Sequence, residues 1–194
     1  MVPRLKRYPE SNQPDRNLEI RQPGAMPVKL RMVVSICPTP KSCLHLILSG
    51  HVAAAVLLMK RSKAIELGQP ILGKFCGAVV AGVPPRIMGT GPAVAIPKLL
   101  EQFRLNFEDV DLFEINEAFA SMAIYCLDKL ELDHGKVNVR GGAIALGHPL
   151  GATGARQICT ILSEARRTQK RILVTSMCIG TGQGMAGLLV NEQI

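Results

Sequence analysis

Residues 172–190 read ILVTSMCIGTGQGMAGLLV, the longest stretch of the chain with a clear strand pattern on both sides of a glycine-rich turn. It holds two apolar runs, Ile172 to Cys178 and Met185 to Val190, with the length and composition of buried strands. The glycine-rich segment 180–182 follows the first run, and glycine lets backbone come close to a neighbouring group. We therefore predict two strands here, with the Cys178 thiol at the end of the first.

Upstream of this stretch, strand-like runs alternate with helix-like runs. The predicted strands are residues 53–59, 77–83 and 111–115. The predicted helices are residues 62–67, a helix opened by Pro92, a helix with Phe119, Met122, Ala123, Cys126 and Leu130 on one face, and residues 151–168. Strands that alternate with helices predict a layered α/β fold.

The composition is consistent with a single globular domain over residues 51–194. Of the 194 residues, 47% are hydrophobic but only 4% are aromatic, so Val, Ile, Leu, Ala and Met must form the core. Residues 1–48 show neither helical nor strand periodicity. We therefore interpret residues 1–50 as an irregular leader.

The leader holds most of the positive charge. Residues 1–50 carry 8 Lys and Arg against 3 Asp and Glu, which gives +5 of the net +8. A basic arm can attract nucleic acid or an anionic membrane, but no aromatic series or recognition helix accompanies it. The uncharged run 42–59 is interrupted by Ser49, Gly50 and His51. We predict neither a nucleic-acid partner nor a membrane span.

Cysteine and glycine patterns give no sign of a metal or a nucleotide cofactor. The six cysteines are scattered, which is typical of free thiols in a reducing compartment. Cys37, Cys43, His45 and His51 lack the usual spacing of zinc ligands. Residues 182–187 match the dinucleotide pattern G-x-G-x-x-G, but the seven residues that follow are too few for a helix and a second strand.

Three segments place an imidazole, a thiol and an amide in glycine-rich or junction positions, at His148, Cys178 and Asn116. The segments are GGAIALGHP (residues 141–149), SMCIGTG (176–182) and EINEAF (114–119). Chemistry on a thioester carbonyl requires such groups beside backbone that a ligand can approach.

Each residue also has a structural interpretation, and the residues alone leave the choice open. Cys178 could be a small buried apolar side chain, and His148 a histidine on a surface loop. Asn116 could cap a helix, and Glu117 could be a carboxylate in the first turn of that helix.

The three segments resemble those of thiolases, and most closely those of the peroxisomal 3-ketoacyl-CoA thiolases. The resemblance runs from about Ala53 to the end of the chain and includes GVPPRIMGTGP (residues 82–92). Several ordered motifs over this length identify the chain as similar to the C-terminal half of a thiolase. The resemblance implies an α/β domain in which helices cover a mixed sheet.

The resemblance also implies a role for each candidate residue. Cys178 would be the acid/base that removes a proton from coenzyme A or from the α-carbon of the acyl donor. His148 would activate a nucleophilic cysteine and donate to the thioester oxygen. Asn116 would hold a water near the oxyanion, and Gly180 would donate its N–H there. Two residues would form apolar walls near the acyl group, namely Met88 and Phe119.

The activity implied is 3-ketoacyl-CoA thiolysis, or the reverse Claisen condensation, in fatty-acid β-oxidation. Acyl-CoA and coenzyme A would be substrates, with no cofactor and no metal. The turn that carries the family's nucleophilic cysteine, similar to Cys-Ser-Ser-Gly, is not in this sequence. The alternative is therefore an inactive thiolase fragment that acts at most as a binding partner.

Location and assembly follow from the same resemblance. It implies a peroxisomal protein, although the chain ends in Asn191-Glu192-Gln193-Ile194 rather than in Ser-Lys-Leu. Without such a signal the expectation is a cytoplasmic protein. The family also implies a homodimer. This expectation is weaker for a chain that resembles only one half of the enzyme.

Overall fold

The computed structural model describes residues 32–36 and 52–194, and strands alternate with helices through most of the second range. The strands of this part are β1 (Met32–Ile36), β2 (Val52–Val56), β3 (Gly73–Gly82), β4 (Leu112–Ile115), β5 (Ile172–Ile179) and β6 (Gln183–Asn191). The α-helices of this part are α1 (Arg61–Glu66), α2 (Gly91–Phe103), α3 (Ala120–Lys129), α4 (Ala143–Leu146) and α5 (Thr153–Thr168). Short 3-10 helices cover Pro85–Thr90, Phe107–Asp109 and His134–Lys136.

Four strands form the main sheet, in the order β3-β6-β5-β4. β6 runs antiparallel to both β3 and β5, whereas β4 and β5 are parallel, with Ile115 opposite Ser176. The sheet is therefore mixed, and the predicted α/β class is confirmed. Since β4 and β5 are parallel neighbours, their carboxyl ends lie at the same edge of the sheet.

Helix α2 covers one face of this sheet with apolar side chains. Its inner positions recur at helical spacing, and Ile96 and Leu99 are fully buried. The start of α2 lies directly on β6, because a Cβ on Gly184 would be only 2.1 Å from the carbonyl oxygen of Gly91. Glycine at both positions permits this close approach of helix and strand.

Helix α5 covers the opposite face. Near its C-terminal end, Ile161, Leu162 and Ala165 pack in one apolar cluster with residues of the sheet. Nearer its start, the buried side chains of Arg156 and Gln157 are polar. The polar part of α5 thus lies toward the carboxyl end of β4, to which both side chains hydrogen bond.

The structure differs from the predicted secondary structure at residues 32–36 and at Phe119. Residues 32–36 form β1, which pairs antiparallel with β2, so the leader is not irregular there. The prediction that Phe119 lies on one face of the following helix is wrong. Its backbone is extended (φ −144°, ψ 141°), α3 begins only at Ala120, and the side chain is 58% exposed.

Two sequence hypotheses concern residues that the structure covers only partly or not at all. Cys37, Cys43, His45 and His51 lie outside the described residues. In residues 32–36 and 52–194, no helix has the length and apolar character needed to cross a bilayer. The same part of the chain contains no group of His, Cys, Asp and Glu arranged to bind a metal ion.

Candidate active site

Asn116 and Cys178 lie at the same edge of the sheet. Asn116 directly follows β4, and its backbone N–H donates to the carbonyl oxygen of Ser176 on β5 (2.9 Å). The Nε2 of Gln157 donates to the carbonyl oxygens of Glu114 (2.9 Å) and Ser176 (3.0 Å), which ties α5 to both strands. Ligands of open α/β sheets bind outside the carboxyl ends of the strands, and this edge is such a place.

His148 lies in the loop between α4 and α5, where it contacts Asn116. The residue is only 8% exposed, so the interpretation as a surface-loop histidine is wrong. The Asn116 side-chain nitrogen lies 3.2 Å from Nε2 and 3.4 Å from Nδ1, and Nδ1 lies 2.7 Å from the hydroxyl oxygen of Thr153. Two of the three predicted reactive groups, the imidazole and the amide, are therefore in direct contact.

The surroundings of His148 favour a neutral ring. Burial, and next the positive charge of Arg156, lower the pKa of His148 below its usual value near 6.5. Arg156 is itself buried and donates to the Glu114 carboxylate at 2.7 Å. Burial raises the pKa of Glu114 to about 7, although Arg156 acts in the opposite direction. A neutral imidazole can accept a proton, which a general base requires.

Asn116 is not a helix cap. Helix α3 begins at Ala120 with Phe119 as its N-cap, so the capping interpretation of Asn116 is wrong. The Asn116 side chain is fully buried, and its Oδ1 has no hydrogen-bond partner within the described residues. A buried acceptor of this kind is uncommon, and it can accept a hydrogen bond from a ligand or a water.

Glu117 does not lie in the first turn of α3 as the sequence suggested. Its carboxylate accepts from the Nδ2 of Asn138 (2.9 Å) and from the backbone N–H of Ile144 in α4 (3.0 Å). A Cβ on Gly142 would be 2.3 Å from this carboxylate, so glycine leaves the space it needs. Glu117 thus holds the segment that leads to His148.

Asn138 is a supporting residue that the sequence analysis did not find. Its Oδ1 accepts from the N–H of Ile115 (2.9 Å), and its Nδ2 donates to the carbonyl oxygen of Ile115 (2.8 Å). The side chain therefore imitates a neighbouring strand at the end of β4. No motif around residue 138 signals this role, because the contact spans 23 residues of chain.

The Cys178 thiol lies in a small apolar cluster. It is 7% exposed, and its Sγ is 3.9 Å from the Sδ of Met122. Ala118 belongs to the same cluster, and Met88 packs against it. Burial raises the pKa of Cys178, so the thiol is protonated at neutral pH. Within residues 52–194 no hydrogen bond joins Cys178 to His148, and both interpretations of Cys178 fit this environment.

Gly180 follows β5 in the exposed turn to β6. A Cβ at this position would have nothing within 4 Å, so packing does not require glycine. Its φ is not positive, unlike those of Thr181 (70°) and Gly182 (91°), so the backbone does not require glycine either. The absence of a side chain leaves the backbone open to an approaching group.

Comparisons with known proteins all match this chain to one family. Residues 69–191 match the family model of the thiolase C-terminal domain. The peroxisomal 3-ketoacyl-CoA thiolase of Yarrowia lipolytica is 61% identical over 140 residues, covering 72% of this chain and 34% of that protein. The peroxisomal 3-ketoacyl-CoA thiolase of Homo sapiens is 61% identical over 137 residues, covering 70% and 32%. The chain spans about a third of the length of these curated relatives.

Solved structures agree with this result. The dimeric peroxisomal thiolase of Saccharomyces cerevisiae has a TM-score of 0.68 at 57% identity, covering 72% of this chain and 35% of that chain. Human mitochondrial 3-ketoacyl-CoA thiolase in complex with CoA has a TM-score of 0.70 at 40% identity, covering 74% and 37%. The chain belongs to the thiolase family and contains its C-terminal domain.

Proposed function

We propose that this chain supplies the C-terminal half of a thiolase active site, which transfers acyl groups between 3-ketoacyl-CoA and coenzyme A. The observation that carries the proposal is the buried contact between His148 and Asn116, at the sheet edge where β5 presents Cys178. The relatives named above are 3-ketoacyl-CoA thiolases, and one related structure holds CoA. We propose coenzyme A as a substrate, with no bound cofactor.

In this proposal the acyl group is carried by a cysteine on a separate N-terminal half. The thiolate of that cysteine attacks the keto carbonyl, and the carbon–carbon bond then breaks with its electron pair on the α-carbon of the leaving acetyl-CoA. His148, held neutral, takes the proton from the attacking thiol through a ring nitrogen. The backbone N–H of Gly180, in the exposed turn after β5, and a water held by Asn116 stabilise the oxyanions.

Cys178 serves in both half-reactions. Because burial raises the pKa of Cys178, the thiol is protonated at the start and can donate its proton to the α-carbon of the leaving group. The thiolate that remains is a strong base for the same reason, and it takes the proton of the incoming coenzyme A thiol. The coenzyme A sulfur then attacks the acyl-enzyme thioester, and the bond to the nucleophilic cysteine breaks. That cysteine leaves as a thiolate and takes back the proton held by His148, while Cys178 keeps the proton of coenzyme A.

Two apolar side chains complete the proposed acyl site. Met88 packs against the Cys178 cluster. Phe119 directly follows Ala118, a member of that cluster, and its side chain is exposed just before α3. Both could contact an acyl chain without first leaving a packed core. Since the relatives are named as peroxisomal, we propose the same compartment for this protein.

The experiment is a complementation assay of acetoacetyl-CoA thiolysis. The chain is mixed with the separately expressed N-terminal half of the Yarrowia lipolytica enzyme, and each is also assayed alone. We expect turnover only in the mixture, and its loss with Cys178→Ala or His148→Ala. Cys76→Ala is the matched control, since Cys76 is also a buried free thiol but lies on β3.

The assay separates the proposal from its alternative. No turnover in a mixture in which the two halves demonstrably associate would contradict the proposal and favour an inactive binding fragment. Turnover that survives Cys178→Ala would contradict the acid/base role of that thiol.

A further inference from the structure

We propose that Thr153 is a positioning residue that fixes the tautomer of His148, with hydrogen on Nδ1 and the lone pair on Nε2. The inference deepens the proposed function and rests on it for the identity of the reaction. Its physical content concerns only which ring nitrogen carries the hydrogen. That property can be measured without any substrate.

The first support is the hydrogen-bond pattern of the Thr153 hydroxyl. Its oxygen lies 2.7 Å from Nδ1 of His148 and 3.0 Å from the carbonyl oxygen of Pro149. A hydroxyl has one hydrogen, and a carbonyl oxygen can only accept. When Thr153 donates to Pro149, its oxygen can only accept from Nδ1–H. Thr153 is 1% exposed, so solvent does not compete.

The Asn116 side chain restricts the ring less strictly. Its nitrogen has only hydrogens to offer, and it lies 3.2 Å from Nε2 and 3.4 Å from Nδ1. Because the Thr153 hydroxyl already accepts from Nδ1–H, Nε2 is the ring nitrogen whose lone pair is left to accept from this amide. The Asn116 contact is therefore consistent with the tautomer that Thr153 selects.

This tautomer matters for the proposed reaction because a lone pair on Nε2 is the group that can take a proton from an attacking thiol. A ring with hydrogen on Nε2 would instead turn its basic nitrogen toward the Thr153 hydroxyl. Thr153 acts on the reaction through His148 and does not touch the reacting atoms. The same hydrogen bond also fixes the orientation of the ring.

The test is nitrogen NMR of the chain with 15N-labelled histidine, where the two neutral tautomers give distinct ring-nitrogen signals. The His148 signals are assigned by their absence in His148→Gln, and spectra are taken at pH 8. We expect a protonated Nδ1 and an unprotonated Nε2 in the wild type. Thr153→Val should shift the tautomer ratio toward Nε2–H by roughly tenfold, because Nδ1–H loses a buried acceptor. Thr153→Ser should restore the wild-type ratio.

Thr160→Val is the matched control. Thr160 lies on the same helix and donates its hydroxyl to the carbonyl oxygen of Arg156 (3.0 Å), four residues back, just as Thr153 does to Pro149. It has no hydrogen bond to His148, so the tautomer should stay unchanged. A wild-type ring with hydrogen on Nε2 would overturn the inference even if Thr153→Val failed to fold. An unchanged ratio in folded Thr153→Val would also overturn it.

The outcome is independent of the complementation assay. The expected tautomer together with an inactive mixture would refute the proposed function and leave the inference standing. An active mixture in which His148 has the other tautomer would refute the inference and leave the proposed function standing.

Discussion

The two faces of the main sheet are stabilised in different ways. The α2 face is almost entirely apolar, and Ile96 and Leu99 are fully buried there. The α5 face has a smaller apolar cluster, followed by the buried polar side chains of Glu114, Arg156 and Gln157. Apolar packing needs only matched volumes, whereas each buried polar group needs a specific partner. The α5 face therefore holds His148 and Asn116 in a defined geometry through specific polar partners in addition to apolar packing.

The largest effect should come from breaking the ion pair on the α5 face. Arg156→Met leaves the Glu114 carboxyl buried without its partner at 2.7 Å, which should lower the free energy of unfolding by about 3–5 kcal/mol. Urea denaturation of the chain measures this loss. The double variant Glu114→Gln with Arg156→Met should recover much of it, since no unpaired charge then remains. A single variant within about 0.5 kcal/mol of the wild type would contradict the polar account of this face.

The next effect concerns apolar packing on the α2 face. Leu99→Ala removes a fully buried side chain from the larger cluster and should cost about 3 kcal/mol. The same truncation on the other face, Leu162→Ala, is the matched control, because Leu162 belongs to the smaller cluster and is slightly exposed. We expect a smaller loss there. Equal losses in urea denaturation would show that the two faces do not differ in apolar packing.

A smaller effect is expected at Gln157. Gln157→Leu removes the two N–H donors that reach the backbone carbonyl oxygens of Glu114 and Ser176, and should cost about 2 kcal/mol. The two oxygens keep any other hydrogen bonds they make within the sheet, which limits the loss. Gln157→Glu tests the same link between α5 and the strands with a charged side chain. Its carboxylate offers no donor to either carbonyl oxygen. A stabilised Gln157→Leu variant would mean that the link between α5 and the strands is not needed.

The contrast also shows what the sequence could and could not predict. Apolar periodicity was sufficient for the strands that begin at Ile172 and near Met185, because their burial depends on local pattern. The resemblance to thiolases identified His148 and Asn116, but no local pattern predicted their contact. Thr153 was not identified at all, because its hydroxyl matters only once a histidine five residues away turns toward it.

Phe119 shows the opposite error. Its spacing relative to Met122 and Cys126 fitted a helix face, and the spacing was read correctly. The helix, however, begins one residue later, so the pattern lost its first member. Periodicity gives the type of an element more reliably than its ends.

The pH dependence of stability should expose the buried imidazole. Because burial and Arg156 lower the pKa of His148, the unfolded chain binds a proton more readily than the folded chain below about pH 6.5. The contribution of neutral His148 to the free energy of unfolding is fully present above that pH. It is lost as the pH falls through the lower pKa that His148 has in the folded protein. Wild type should therefore lose stability relative to His148→Gln between pH 8 and pH 5. The comparison with the variant cancels the opposite effect of Glu114, whose pKa is raised to about 7.

The smallest effect should come from an exposed ion pair, in contrast to the buried pair of Arg156 and Glu114. Lys63 and Glu66 form an ion pair at 2.5 Å on exposed α1, with spacing i,i+3. Water screens both groups, so Lys63→Ala should change the free energy of unfolding by only about 0.3 kcal/mol. Set beside Arg156→Met, this variant separates burial from charge pairing as the cause of the large loss. If Lys63→Ala cost as much as Arg156→Met, the pairing itself would determine stability, and the distinction between the two faces of the sheet would no longer explain it.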